Sequence, residues 1–299
     1  MRALADFIMR GRMQAALVVA GCAALPLLFW MSAAAGCLVL LRRGLNDAMG
    51  VLAWGVLPAL VWWYFGEPRT LMVLLGSLGL AALLRAGWPW SRVLLASVAL
   101  GVVYGVVLGV AFGEALNQLA VAMNKHLPNL LGDIYQRLSL EEQAHLEALI
   151  APVLIGLIAA LLQAVSLLAL MLGRYWQAVL FNPGGFGREF RAARIPGAVA
   201  LALLACMLVG PHFGPQVAML TPICSVPLMF AGFALVHGLA ARGKLGRFWL
   251  VGLYVTFLLF IQLAYPLLVV MAMVDSLIDF RGRLAPEKGS DQGSANGEG

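Results

Sequence analysis

With 299 residues that are 62% hydrophobic and only 11% charged, and a mean hydropathy of +0.92, the chain has too few charges for a soluble domain, which is roughly a quarter charged. Water cannot solvate so much apolar surface, so the composition excludes a soluble globular fold and predicts an all-α, polytopic transmembrane helical bundle embedded in the lipid bilayer. The formal net charge of +6 is therefore no nucleic-acid footprint, because Lys and Arg in such a chain report which loops stay on the cytoplasmic side.

The chain opens with an apolar stretch over residues 14–41. Val19-Ala20-Gly21-Cys22 imitates a lipoprotein cleavage box, but the apolar run continues to Leu41, which argues against processing. Arg2, Arg10 and Arg12 precede the stretch, and Arg42 and Arg43 follow it. Both ends therefore belong to the cytoplasm, Pro26 lies near the middle, and 28 residues are too few for two spans of about 20 each. A re-entrant or broken N-terminal hairpin, packed against protein, reconciles these facts. A single tilted span with one basic cluster on the wrong side is the alternative.

Further apolar runs at 48–65, 70–85, 91–113, 149–172, 196–211, 216–241 and 247–274 predict about seven crossings. With Arg85/Arg92, Arg174/Arg188/Arg191/Arg194 and Arg242/Lys244/Arg247 inside, segment 114–147 falls outside. It carries five carboxylates against Lys125 and Arg137, as the positive-inside bias requires. Within 91–113, Gly101, Gly105, Gly109 and Gly113 recur every fourth residue. Such a strip admits a close neighbouring helix, whether inside the bundle, at a subunit interface, or along a solute or lipid passage. Glu114, with Asn117 and Gln118 one turn on, is either a polar mouth at the outer surface or the place where the helix leaves the membrane. Apolar residues recur at helical spacing through 114–147 and predict external amphipathic helices at the outer interface. Ser139-Leu140-Glu141-Glu142 reads as a capping box that starts a helix running into the next span, with Pro152 as a candidate kink.

Polar residues inside spans are costly and are read as functional candidates. Gln163 and Ser166 share one face of 149–172; Thr256 and Gln262 lie in the last run, His237 near the cytoplasmic end of the one before, and Asp275 at the external end, with Asp279 a turn beyond. Interhelical hydrogen bonding and a small-molecule site between helices both account for Gln163 and Gln262; Glu114, Asn117, Gln163 and Gln262 are the candidate substrate-binding residues. The cytoplasmic basic loop of about 173–195 contains Asn182-Pro183-Gly184-Gly185 and then Phe186, Arg188, Phe190, Arg191 and Arg194. These residues suit anionic headgroups or docking of another subunit. Cys22, Cys37, Cys206 and Cys224 form no metal or disulfide pattern. Gly238 to Leu245 imitates a P-loop but has Leu245 where magnesium needs a hydroxyl, and Glu142-Gln143-Ala144-His145 is a lone copy of a motif that di-iron bundles use twice. No catalytic residue, metal or cofactor is expected, and the chain is read as a non-enzyme. An integral domain over 1–283 is followed by a polar, disordered tail over 284–299.

Met9-Arg10-Gly11-Arg12-Met13-Gln14-Ala15-Ala16, Leu41-Arg42-Arg43-Gly44, Tyr175-Trp176-Gln177-Ala178 with Asn182 to Phe186, and Asp275-Ser276-Leu277-Ile278-Asp279-Phe280-Arg281 together resemble the YybS-like family of multi-pass bacterial membrane proteins. The resemblance is nearest its proteobacterial branch, covers most of the chain and implies the inner (cytoplasmic) membrane. That family is itself distantly similar to the substrate-binding S components of energy-coupling-factor transporters. The resemblance therefore implies a transporter-like subunit that binds a small molecule between helices and takes its energy from another chain. It carries no site residues. A membrane scaffold that organises partners through the glycine strip and the Phe/Arg loop is the alternative.

Overall fold

The computed structural model describes residues 2–243 and 247–278, and every regular element among them is helical. Helix α1 (Arg2–Arg10) leads into α2 (Arg12–Ala24); the chain then reverses over residues 25–28, at Pro26, and returns as α3 (Phe29–Arg43). Ser32 Oγ donates to Val19 O across this hairpin at 2.8 Å. At its open end Arg43 donates to Met9 O and Arg12 pairs with Asp47. The two arginine clusters thus share one end of the molecule, the basic end. Helices of 13 and 15 residues rise only about 20 and 22 Å, against about 30 Å of hydrocarbon. The broken-hairpin expectation holds, and the single tilted span is excluded.

Helix α3 is the centre of the bundle, with Ser32 through Leu41 all buried. Ser32, Ala33, Ala34, Ala35, Gly36 and Cys37 make it narrow, so neighbours approach on every side. Lipid supplies no hydrophobic drive between helices, and close packing of small residues takes its place. Its main neighbours are α5 (Arg69–Arg85) and α10 (Leu140–Phe181). Gly173 of α10 lies so near that a Cβ there would sit 2.7 Å from Cys37 Cβ and 2.8 Å from Ala34 O.

Helix α4 (Leu45–Tyr64) leads away from the basic end; α5 returns to it, where Arg85 donates to Leu40 O and Leu41 O at 3.1 and 2.9 Å; α6 (Trp90–Ala111) leads out again. Helix α10 is the spine, 42 residues long or about 63 Å. Its capping box is formed: Ser139 N donates to Glu142 Oε2 at 2.8 Å, and Glu142 N donates to Ser139 Oγ at 3.3 Å. Pro152 lies inside α10 without ending it. The acidic segment is α7 (Gly113–Asn124), which packs on α10, followed by the short α8 (Leu127–Leu131) and α9 (Asp133–Arg137). Tyr135 Oη donates to Glu147 at 2.7 Å, and this bond holds the phenol above its ordinary pKa. Because α10 is continuous and far longer than the hydrocarbon, the segment is built on the part of a span that extends beyond it.

The second half differs more from expectation. Residues 173–195 are largely helical: α10 runs to Phe181, and α11 (Gly185–Ala192) follows, its axis bent by 69° from the segment that continues through α12 (Gly197–Val209). Two 3-10 turns, Gly210–Phe213 and Pro215–Met219, lead into α13 (Leu220–Ala241). The apolar run 247–274 is not one crossing. It breaks at Phe260 into α14 (Arg247–Leu259) and α15 (Ile261–Ile278). On α14, Tyr254 meets His237 and Phe257 meets Phe233, so α14 runs antiparallel to α13. On α15, Tyr265 meets Ser225 and Leu268 meets Gly232, so α15 runs parallel to it. Asp275 therefore lies at the basic end, beside Ser276, whose carbonyl accepts from Arg194 at 3.2 Å. The placement of Asp275 at the external end is corrected. Uninterrupted hydropathy hid a turn that no glycine or proline marks.

Among the described residues five segments are long and apolar enough to cross a membrane: Leu45–Tyr64, Trp90–Ala111, Leu140–Phe181, Pro215–Ala241 and Ile261–Ile278. The shorter α5 and α12 also join the two ends of the bundle. The protein is a polytopic membrane protein. Lys244 and Leu245 of the P-loop-like match, Asp279 and the tail 284–299 lie outside the described residues.

Candidate functional site

At the acidic end, α6 stops at Phe112 (φ −128°, ψ 12°), whose ring stands edge-on to Trp63 with centroids 5.4 Å apart. Gly113 restarts the chain as α7, so Glu114 falls in its first turn, where the positive end of the helix dipole favours a carboxylate. The glycine strip changes character along its length. A Cβ on Gly101 would meet Ile223 Cγ2 at 2.6 Å, and one on Gly105 would meet Met219 Sδ at 3.3 Å. Gly109 is merely in van der Waals reach of Ile155, and Gly113 faces open space. The lower strip is thus packed inside the bundle, while the upper strip leaves a space that no side chain fills. That space is an open cleft of about 680 Å³ lined by Gly109, Val110, Gly113, Glu114, Asn117, Gln118 and Val121. These positions recur at three- and four-residue steps across the break at Phe112, so the end of α6 and the start of α7 turn them to the same cleft.

The other candidates lie elsewhere. Gln163 is fully buried beside Gly101, donating from Nε2 to Ser97 Oγ at 2.9 Å. Ser97 Oγ in turn donates to Leu94 O at 2.6 Å, and a separate buried set of hydrogen bonds ties α5, α6 and α10 together. Tyr104 Oη lies 2.7 Å from Met72 O, to which it donates, and 2.9 Å from Ser166 Oγ, which itself donates to Leu162 O; Ser77 Oγ donates to Ser166 O. Gln262 is exposed at the start of α15. Of the four, only Glu114 and Asn117 share a site. Tyr104 of the one set and Ser97 of the other escaped the sequence reading, although they are seven residues apart on the face of α6 that carries Gly101.

At the basic end, Phe186 and Phe190 turn inward. Phe186 meets Trp90 and stacks on Phe190 with centroids 5.8 Å apart in both pairs, and Phe190 meets His237. Glu189 pairs with Arg174 and accepts from Trp90 Nε1 at 3.3 Å. The aromatic rings are therefore used in packing α11 onto the bundle, and Arg188 is exposed.

Compared with protein-family models, curated proteins and solved structures, the chain gives no match. Among the described residues no group of three or more His, Cys, Asp or Glu is placed to hold a metal ion. Cys37 and Cys224 are buried and Cys22 and Cys206 half-buried, all as free thiols. The cleft combines one carboxylate and two carboxamides with a wall of bare helix backbone and valine. Chemically it can accept hydrogen bonds from a cationic or polyhydroxylated group and hold an apolar part against Val110 and Val121.

Proposed function

We propose that the protein is a transporter-like binding subunit of a bacterial inner membrane, which receives a small cationic or hydrogen-bonding solute in the cleft at Glu114 and relies on another chain for energy. The observation that carries this reading is the cleft itself. Its 680 Å³ fall within the roughly 300–1,000 Å³ of small-molecule sites, and it opens where two glycines withhold their side chains. The five carboxylates of the external segment against two cations favour a cation approaching from that side. The sealed interior at Gln163 supports helix packing there, and the solute is assigned to the cleft alone.

A charge-assisted hydrogen bond contributes about 1.5–3 kcal/mol, so Glu114→Gln is expected to weaken a cationic ligand roughly ten- to a hundredfold. The test is a thermal-unfolding screen of the detergent-purified chain against metabolites and vitamins. Any hit is then titrated into Glu114→Gln and Gly113→Leu, the second filling the cleft without touching a neighbour. A hit that binds both variants as it binds the wild type removes the cleft from the site. A screen without hits, together with capture of a protein partner by a photocrosslinker at Arg188, would favour the scaffold reading.

A further inference from the structure

A second concavity, of about 540 Å³, lies at the opposite end, between α2 and α4. Its walls are Ala16, Ala20 and Gly21 of α2 and Gly50, Val51 and Trp54 of α4, and Arg12 stands at its mouth. It exists because small residues face each other. A Cβ on Gly21 or on Gly50 would meet nothing within 4 Å. The flanking Met13, Leu17, Met49 and Trp54 are exposed, so the groove faces out of the bundle, into lipid.

We propose that this groove holds one acyl chain of an anionic phospholipid from the leaflet at the basic end, with the lipid phosphate on Arg12. Length is the first argument. From Arg12 to Gly21 is nine residues of helix, a rise of about 13 Å, against about 15 Å for half of the hydrocarbon layer. Its lining stops at Gly21 on α2 and Trp54 on α4, and α2 itself ends one turn further on, at Ala24. A channel one leaflet deep, polar only at its basic end, has the dimensions of a lipid tail and its headgroup.

Charge is the second argument. Arg2, Arg10, Arg12, Arg42 and Arg43 crowd this end, against Asp6 and Asp47. Arg12 gives one Nη2 donor to Asp47 while its side chain stays 73% exposed, and a guanidinium has five donors in all. The rest of the fork can therefore bind a phosphate, which arginine does with good geometric match. Asp47 holds the guanidinium over the mouth of the groove and competes with the headgroup for it. This lipid site is independent of the solute cleft at the other end.

The test uses the full chain in dodecyl maltoside, titrated with dioleoyl-phosphatidylglycerol, dioleoyl-phosphatidylcholine or glycerol 3-phosphate, and follows the unfolding midpoint. Phosphatidylglycerol is expected to raise the midpoint at roughly tenfold lower concentration than phosphatidylcholine, a difference of about 1.4 kcal/mol, and glycerol 3-phosphate to leave it unchanged. Gly50→Leu, which places a side chain in the groove, should abolish the phosphatidylglycerol response; Gly21→Leu serves from the opposite wall if the first variant does not fold. Arg12→Gln should remove the preference for the anionic lipid. Asp47→Asn should strengthen it, because the whole fork is released, whereas a merely structural ion pair would make both variants lose it. Equal responses to the two lipids, a wild-type response in both groove-filling variants, a weakened response in Asp47→Asn, or a shift produced by glycerol 3-phosphate alone would each overturn the proposal.

Discussion

Tyr104 shows how little each polar contact inside a membrane contributes, and how much a backbone contact does. Removing its hydroxyl leaves Ser166 Oγ bonded to Leu162 O, so no buried donor is orphaned. Interhelical hydrogen bonds in lipid average about 0.6 kcal/mol and reach about 1.7, so Tyr104→Phe is expected to destabilise by on the order of 1 kcal/mol in reversible unfolding. Gly156 is the opposite case. A Cβ there would lie 2.6 Å from the Cα of Met219, which is backbone and cannot rotate aside. Overpacking of this kind costs about 1–3 kcal/mol or more, so Gly156→Ala should exceed Tyr104→Phe in the same assay. An equal or smaller effect would mean that the turn at Pro215–Met219 yields. Glu114 and Asn117 could be paired from the sequence because both lie on one short stretch of helix. That Gln163 is sealed off and Gln262 turned outward could not, because helix rotation within a bundle leaves no mark in uniformly apolar segments.

The elements were legible where charge or a turn residue marked their ends. Arg12 and Arg43, with Pro26 between them, predicted a hairpin, and the capping box placed the start of α10 near Leu140, where the helix begins. The α14–α15 hairpin was invisible, since nothing charged, small or cyclic stands at Phe260. Both hairpins open at the same end, and thiol labelling of intact cells tests this, in a background with Cys22 and Cys206 replaced by serine. Cysteines at Met13 and Leu45, both exposed, are expected to react from one and the same side of the membrane, as are cysteines at Phe248 and Leu277. Labelling of Phe248 and Leu277 from opposite sides would restore a single span over 247–274. The same experiment assigns the basic end to a compartment, which positive-inside reasoning puts in the cytoplasm.

For the molecule as a whole, α10 and α3 form the axis around which the other helices are arranged. Gly173 is where they touch. Gly173→Val would drive a branched side chain into the Ala34 carbonyl and Cys37, and is expected to abolish the monodisperse, folded fraction in detergent. Gly113→Ala, at the open end of the glycine strip, should leave that fraction unchanged. If Gly173→Val also purifies folded and monodisperse, α3 is not the rigid centre described above.

The central position of α3 also bears on the order in which the chain is built. Ala34 leaves the ribosome about 140 residues before Gly173, an interval of roughly 7 to 28 s at 5–20 residues per second. Of the two main neighbours of α3, α5 ends at Arg85, early in that interval, whereas α10 does not end until Phe181. With the basic end in the cytoplasm, where positive-inside reasoning puts it, the α2–α3 hairpin stays on the side of synthesis and α4 is the first segment to commit the chain to the bilayer. The core is thus made early and closed late, with α2, α4 and α5 covering part of α3 until α10 arrives to complete its packing.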